Sequence, residues 1–351
     1  MRIEDIWWKR LSNPANLIGS ITDSLMENRS VAVVYCDAIP WKGVFSDAII
    51  EEISQYNADM KNSMHSLNDK TFPGDFLMRK YCSEEEQGKY WKPSGTKAKF
   101  LAESKMSVLN KSHVFIDLSG NAVEWFRFVD EYTSYFEENQ EHGLFVIFTK
   151  DRYIKSSKSV DCYYYDENIS EFDTLLLCMT ILSEQKYTLS EKKYVSETAV
   201  EIASGNVVLA GKLAECGDSL VKDTPHTVMT VLKNEGISLK FDSVKIKTAL
   251  WQAQIKVLFP VLEQYRLGLI SKYKDTIKIN LCNSPTGTYK TENPYELEIG
   301  ELYHLCRSYH ILQRNEFDML SQIRDTRNCL AHWDILSFEE IKKILKLCEK
   351  N

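Results

Sequence analysis

The sequence predicts an α/β N-terminal domain, with a parallel-type sheet covered by helices on both faces, followed by an all-α C-terminal helical bundle. Three observations carry this reading. Short β-branched runs of strand length alternate with helix-period segments through about the first 185 residues, the pattern of a mostly parallel sheet. From Ser190 the strand signal disappears and apolar residues recur only at helical spacing. Charge divides the same way: the net −7 (43 Lys+Arg against 50 Asp+Glu) separates into −10 over residues 1–239 and +3 over residues 240–351. A length of 351 residues and 44% hydrophobic side chains suffice for two or three cores and exclude a disordered or fibrous chain. The expected organisation is residues 1–185 as the α/β domain, 186–238 as a small helical lid or linker, and 239–351 as the helical domain.

Taken in order, residues 30–37 (Ser-Val-Ala-Val-Val-Tyr-Cys-Asp) form a buried-strand run, and 44–56 repeats apolar residues at helical spacing. A second strand is expected over 113–118, closed by Ser119-Gly120, and then an amphipathic helix over 121–139 with Asn121 as its cap. Strands over 144–148 and 160–165 and an apolar helix over 171–182 complete the alternation. Two helices, 191–204 and 207–216, follow, separated by Gly205-Asn206 and read as an appendage of the α/β domain. The long segment 244–272 carries Leu250, Trp251, Ile255, Leu258, Phe259, Leu262, Tyr265 and Leu269 on one broad face, and Pro260 is expected to kink it. A loop over 280–294 leads to helices at about 296–312 and 316–332, and a last helix starts at Ser337, where Ser337 and Glu340 spell a capping box.

The nine cysteines include no C-x-x-C pair, which suggests free, mostly buried thiols in a reducing compartment rather than a zinc or redox site. Met1–Asp5 lacks a basic segment followed by an apolar one, so no signal peptide is expected. The longest apolar-looking run, 174–182, is about half a membrane span. A cytoplasmic protein with no membrane partner is the expectation.

A strand, a turn, a helix and a later strand ending in Asp117 resemble the core of AAA+/STAND-type P-loop ATPases, over roughly residues 20–235. The phosphate cradle departs from that pattern. The turn Cys36-Asp37-Ala38-Ile39-Pro40-Trp41-Lys42-Gly43 has one glycine, no Gly-Lys-Ser/Thr ending, and a proline that removes an N–H donor. Leu118 stands after Asp117 where a catalytic acid would be, and Asp117 reads as a carboxylate capping the next turn. The resemblance therefore implies a degenerate domain, without ATP hydrolysis and with no cofactor.

The most specific signal is Ile323-Arg324-Asp325-Thr326-Arg327-Asn328-Cys329-Leu330-Ala331-His332. Its Arg-Asn-x-x-x-His resembles the R-x-x-x-x-H motif of the HEPN superfamily, all-helical domains that are often metal-independent ribonucleases. The resemblance covers about 240–351, including Trp251-Gln252-Ala253-Gln254, the helix around Glu296–Leu305 and the capped last helix. Arg324, Asn328 and His332 fall at i, i+4 and i+8, one polar stripe, with Arg327 rotated about 140° from His332. Histidine suits proton transfer near neutral pH, and arginine stays charged and grips phosphate with two N–H groups. The resemblance implies Arg327, His332 and Asn328 as catalytic residues, Arg324 and Glu301 as substrate-binding ones, and no metal. It also implies a homodimer in which two motifs meet. The same residues read equally as a polar helix end, with His332 capping carbonyls and Arg327 paired with Asp325 or Asp334. His304 and His310 read as helix-surface residues and Glu84-Glu85-Glu86 as solvated loop.

The resemblances together imply an RNA-cleaving effector of the bacterial anti-phage or toxin type, controlled by its N-terminal domain and joined to a protein partner in a defence complex. The other expectation is a non-catalytic scaffold whose helical domain dimerises or docks a partner.

Overall fold

In the computed structural model the β-branched runs become one sheet. Strands β1 (Ser30–Val34), β2 (Lys61–Leu67), β3 (Ser112–Leu118), β4 (Leu144–Thr149) and β5 (Val160–Tyr164) are all parallel, in the order β2-β3-β4-β1-β5. The structure describes every residue except 1, 57–58, 69, 105–106, 121, 139, 286–288, 290 and 349–351, and it divides into two compact units, residues 1–173 and 174–351. In the first unit both sheet faces are covered. Helices α1 (Ile3–Arg10), α2 (Ser12–Met26) and α3 (Lys42–Ser54) pack together, with Trp8 stacked on Phe45 at 4.3 Å and Phe45 against Phe148 of β4. On the opposite face, Ala32, Val34, Ile116, Phe145 and Ile147 meet Trp125, Val129 and Tyr132 of α4 (Val123–Thr133). Full burial of each Val, Ile or Phe side chain among them contributes about 1.5–3 kcal/mol.

Several elements differ from expectation. Strand β2 is an edge strand of polar composition, half-buried on alternate residues, so it shows no apolar run. Glu84-Glu85-Glu86 is not a solvated loop but opens a short helix, Glu84–Lys89. Ser83 caps it, and the buried Glu86 accepts hydrogen bonds from Ser83 N–H (2.9 Å) and Ser104 Oγ (2.9 Å). The expected cap Asn121 lies outside the described residues, and α4 is shorter than expected. Residues 150–159, between β4 and β5, hold no helix.

The second unit is helical. Helices α6 (Leu189–Ala203), α7 (Val207–Glu215) and α8 (Thr224–Glu235) follow α5 (Glu171–Ile181), which spans the division. The segment 186–238, expected as a lid or linker of the α/β domain, shares one core with the rest of this unit: Tyr194, Val195, Ala199, Leu209 and Leu213 cluster with Ala253, Leu258, Leu302, Leu320 and Ile341. Helix α6 is buried on nearly every side, so it requires neighbours all round and finds α7 and α9 (Ser243–Lys272). Helix α9 continues through Pro260 as a single element, with Phe259 exposed rather than on the core face. A short helix, Asp218–Lys222, precedes α8, and further helices are α10 (Lys274–Asn283), α11 (Ile299–Ser308), α12 (Arg314–Ala331) and α13 (Phe338–Cys348). Ser337 caps α13: its N–H donates to Glu340 Oε2 at 2.8 Å, and Glu340 N–H donates to Ser337 Oγ at 3.4 Å.

Eight cysteines are free; Cys82, Cys178 and Cys306 are buried and Cys282 is exposed, while the Cys348 side chain falls outside the described ones. Among the described residues, no helix is long and apolar enough to cross a membrane.

Candidate active site at the end of helix α12

Helix α12 begins with a capping box in which Gln313 N–H donates to Glu316 Oε2 at 3.2 Å. The same carboxylate accepts from Lys272 Nζ (2.7 Å) and Tyr273 Oη (2.7 Å), fastening α12 to the end of α9. Leu320, Ile323, Thr326 and Leu330 turn inward, which leaves Arg324, Arg327, Asn328 and His332 toward the outer side.

The helix ends at His332 in a Schellman motif. Trp333 N–H donates to Leu330 O at 3.2 Å and Asp334 N–H to Cys329 O at 3.1 Å. Glycine is the usual residue at the left-handed position of this motif, but here Trp333 occupies it with φ 59°, a conformation costing about 1–2 kcal/mol for a residue with a Cβ. The surroundings hold it there. Lys247 Nζ lies 4.5 Å from the Trp333 ring centroid and 3.4 Å from Asp334 Oδ1. From α9, Trp251 Nε1 donates to Leu330 O at 2.7 Å. One helical turn further, the buried Gln254 grips both backbone groups of Leu336. Its Oε1 accepts the Leu336 N–H at 2.8 Å and its Nε2 donates to Leu336 O at 2.9 Å. The His332 imidazole is exposed on this fixed end and makes no hydrogen bond among the described residues. The expected capping by histidine is done by its backbone: His332 N–H donates to Asn328 O and Cys329 O.

The arginines are placed differently. Arg324 lies over the Tyr303 ring, its Cζ 3.8 Å from the centroid, and donates through Nε and Nη2 to Asp325 Oδ1 at 3.0 and 2.6 Å. Arg327 lines a groove of about 390 Å³ with Phe259, Leu262, Glu263, Arg266 and the 296–299 segment. Its Nη2 is 3.8 Å from Glu298 Oε2, with 40% and 75% of the two side chains exposed. Arg327 thus pairs with neither Asp325 nor Asp334, which are taken by Arg324 and Lys247. Glu301 serves the fold: its Oε2 accepts the Glu298 N–H at 3.0 Å and caps α11. Asn328 is exposed. His332 does not line the groove of Arg327, so one chain does not bring the two residues into a single pocket. His304 is exposed on α11; His310 stands just beyond that helix, in a turn with φ 51°, rather than on it.

The turn after β1 contains an ion pair absent from the sequence expectations. Lys42, the first residue of α3, places Nζ 2.6 Å from Asp117 Oδ2 and 4.4 Å from the Phe148 ring centroid. Burial pushes the Lys42 ammonium down from the ordinary lysine value, against the opposing pull of Asp117. Burial likewise pushes Tyr35, beside the pair, up to about 12. Asp117, expected to cap the next turn, is instead the counterion of Lys42. Cys36 N–H donates to Asp166 Oδ2 at 2.9 Å, and Pro40 O accepts from Trp8 Nε1 at 3.0 Å. Among the described residues no three His, Cys, Asp or Glu side chains gather as a metal-ligand set.

No protein-family model matches this chain, and no curated protein matches it.

Proposed function

We propose that the helical region is a metal-independent endoribonuclease of the HEPN kind, governed by a degenerate ATPase-like N-terminal domain, in a bacterial anti-phage or toxin-type system. The observation that carries the reading is His332, an imidazole with no hydrogen bond among the described residues, held on a fixed helix end with Asn328 one turn before it. In the reaction His332 accepts the proton of a ribose 2′-OH, and the 2′-oxygen bonds to the adjacent phosphorus. The P–O5′ bond breaks, the 5′-oxygen leaves with a proton, and a cyclic phosphate remains. Arg327 offsets the charge that builds on the non-bridging phosphate oxygens once the exposed Glu298 gives way to phosphate. Asn328 orients His332 or the scissile phosphate. A second copy supplies the other proton-transfer group, which suits a chain whose arginine and histidine do not share a pocket. The strand order, with β4 between β1 and the Asp117 strand, supports the ATPase-like reading. The internal partners of Lys42 and Cys36 N–H support its degeneracy.

A second reading is favoured by the carboxylates of Glu263, Glu296 and Glu298 around Arg327, which suit a cationic protein surface better than phosphate. In that reading the helical region docks a partner or a second copy. The discriminating experiment incubates the full chain with single-stranded RNA in the presence of a chelator. Cyclic-phosphate products that disappear in His332→Ala and Arg327→Ala support the nuclease. An inert wild type, alone and with its partners, leaves the docking role.

A further inference from the structure

The connection between β4 and β5 is unusual for a parallel sheet, where the crossover is ordinarily a helix. These strands lie on either side of β1, with Thr149 opposite Val34 at one end and Val160 opposite Ser30 at the other. Residues 150–159 therefore run back across β1 as a strap of irregular backbone, over a strand length of about 17 Å. The strap is fixed from below. Ile154 is buried in the sheet core and its carbonyl accepts from Tyr164 Oη at 2.5 Å. Asp130 Oδ1 accepts from Ser157 Oγ (2.7 Å) and Ser159 N–H (2.9 Å), and Ser157 N–H donates to Val160 O at 2.9 Å.

Its outer side is cationic. Lys150, Arg152, Lys155 and Lys158 are all exposed and form no ion pair among the described residues; Lys150 lies 5.6 Å from the Tyr35 ring centroid. Between them stands Tyr153, 95% exposed, its N–H held by Asp151 Oδ1 at 3.2 Å. An apolar ring left fully in water at the tip of an anchored turn contributes nothing to the fold. Four exposed cations without a carboxylate partner among the described residues, interleaved with such a ring, match the chemistry of a single-stranded nucleic acid, with phosphates for the cations and a base for the ring. The strap lies within the part of the chain that carries the net −10.

We propose that the 150–158 strap is a single-stranded RNA contact, with Tyr153 stacking a base and Lys150, Arg152, Lys155 and Lys158 tracking the backbone. The contact does not depend on whether His332 cleaves. The test therefore uses the full chain and a 2′-O-methyl oligoribonucleotide, which has no 2′-OH to attack. Binding is followed by fluorescence anisotropy across a salt series. The expected result is salt-sensitive binding whose log–log slope flattens by about 2–3 when all four cations become Gln, at about 0.7 for each phosphate no longer neutralised. Tyr153→Ala should bind about fivefold more weakly or worse with the slope unchanged, and Tyr153→Phe should restore affinity. All five positions are exposed, so an unchanged melting temperature accompanies these effects. Absence of binding by the wild type overturns the proposal, as does binding abolished in Arg327→Ala but intact in the strap variants. It is overturned too if a polyglutamate peptide or anionic vesicles bind as well as the oligonucleotide and Tyr153→Ala makes no difference.

Discussion

The turn after β1 and the end of α12 both carry residue types that do chemistry, and they treat them in opposite ways. In the turn three polar groups are answered from within: Lys42 by the Asp117 carboxylate, Cys36 N–H by Asp166, Pro40 O by Trp8. At the helix end the backbone is equally well held, by Trp251 and Gln254, but the imidazole of His332 is left in water. The histidines repeat the contrast. His113 on β3 is almost wholly buried, with Nδ1 3.1 Å from Asn62 Oδ1, whereas His332 is exposed. A residue type marks a site only where the fold leaves its reactive group unspent.

The widest separation of the two regions is expected in catalysis. His332→Ala should lower RNA cleavage about a thousandfold, the usual scale for losing a general acid or base, while the melting temperature stays unchanged. Single-turnover cleavage beside a thermal melt reads both. An equal fall in cleavage and stability would make His332 a structural cap and erase the contrast.

The buried histidine predicts a pH effect next in size. Burial pushes His113 down to about 4, so between the unfolded value near 6.5 and about 4 the unfolded chain holds a proton that the folded one refuses. Stability conferred above pH 6.5 is therefore lost as pH falls through this window, by up to about 3 kcal/mol. Urea unfolding at stepped pH checks it, and His113→Gln should flatten that part of the curve. An unchanged slope in the variant would assign the acid sensitivity to other groups.

How much of this is legible in the sequence depends on where each residue's partner lies in the chain. The β-branched runs 30–37, 113–118 and 144–148 show themselves because both faces of an interior parallel strand are buried. Strand β2 hides because an edge strand needs no apolar run, and α1 and α2 escape the sequence reading although Trp7, Trp8 and Ile21 are fully buried core. The polar stripe Arg324–Asn328–His332 is a local repeat and can be read directly. The clamp of Trp251 and Gln254 on residues some eighty positions away cannot, because a glutamine at helical spacing carries no mark of a distant backbone partner. Lys42 escapes for a related reason: its counterion sits on β3, brought near the start of α3 only by the sheet order.

That clamp supplies a third test. Gln254→Leu keeps the side-chain volume but leaves the Leu336 N–H and carbonyl without their amide partner. Each buried orphan costs about 1–3 kcal/mol, offset in part by better apolar burial, so a net loss of about 2 kcal/mol is expected. Hydrogen exchange should show the Leu336 amide, in the connector before α13, losing protection while α13 keeps its own. Retained protection would mean that the connector is held by packing alone.

The smallest effect is expected at the ion pair. Asp117→Asn is nearly isosteric and removes the charge facing Lys42, while Phe148 and Tyr35 continue to shelter the ammonium. The Lys42 and Asp117 side chains keep 26% and 40% of their exposure, so water screens the pair, and the loss should be about 1 kcal/mol, read from urea midpoints. Lys42→Met in the same background tests the reason. If the ammonium is retained only because Asp117 answers it, removing it from Asp117→Asn should recover stability, since an apolar chain fills the site without desolvating a charge. A further loss instead would show that Lys42 is held by the rings, and the turn would then have a cation whose carboxylate partner is dispensable, much closer to the open chemistry of His332 than to a self-satisfied site.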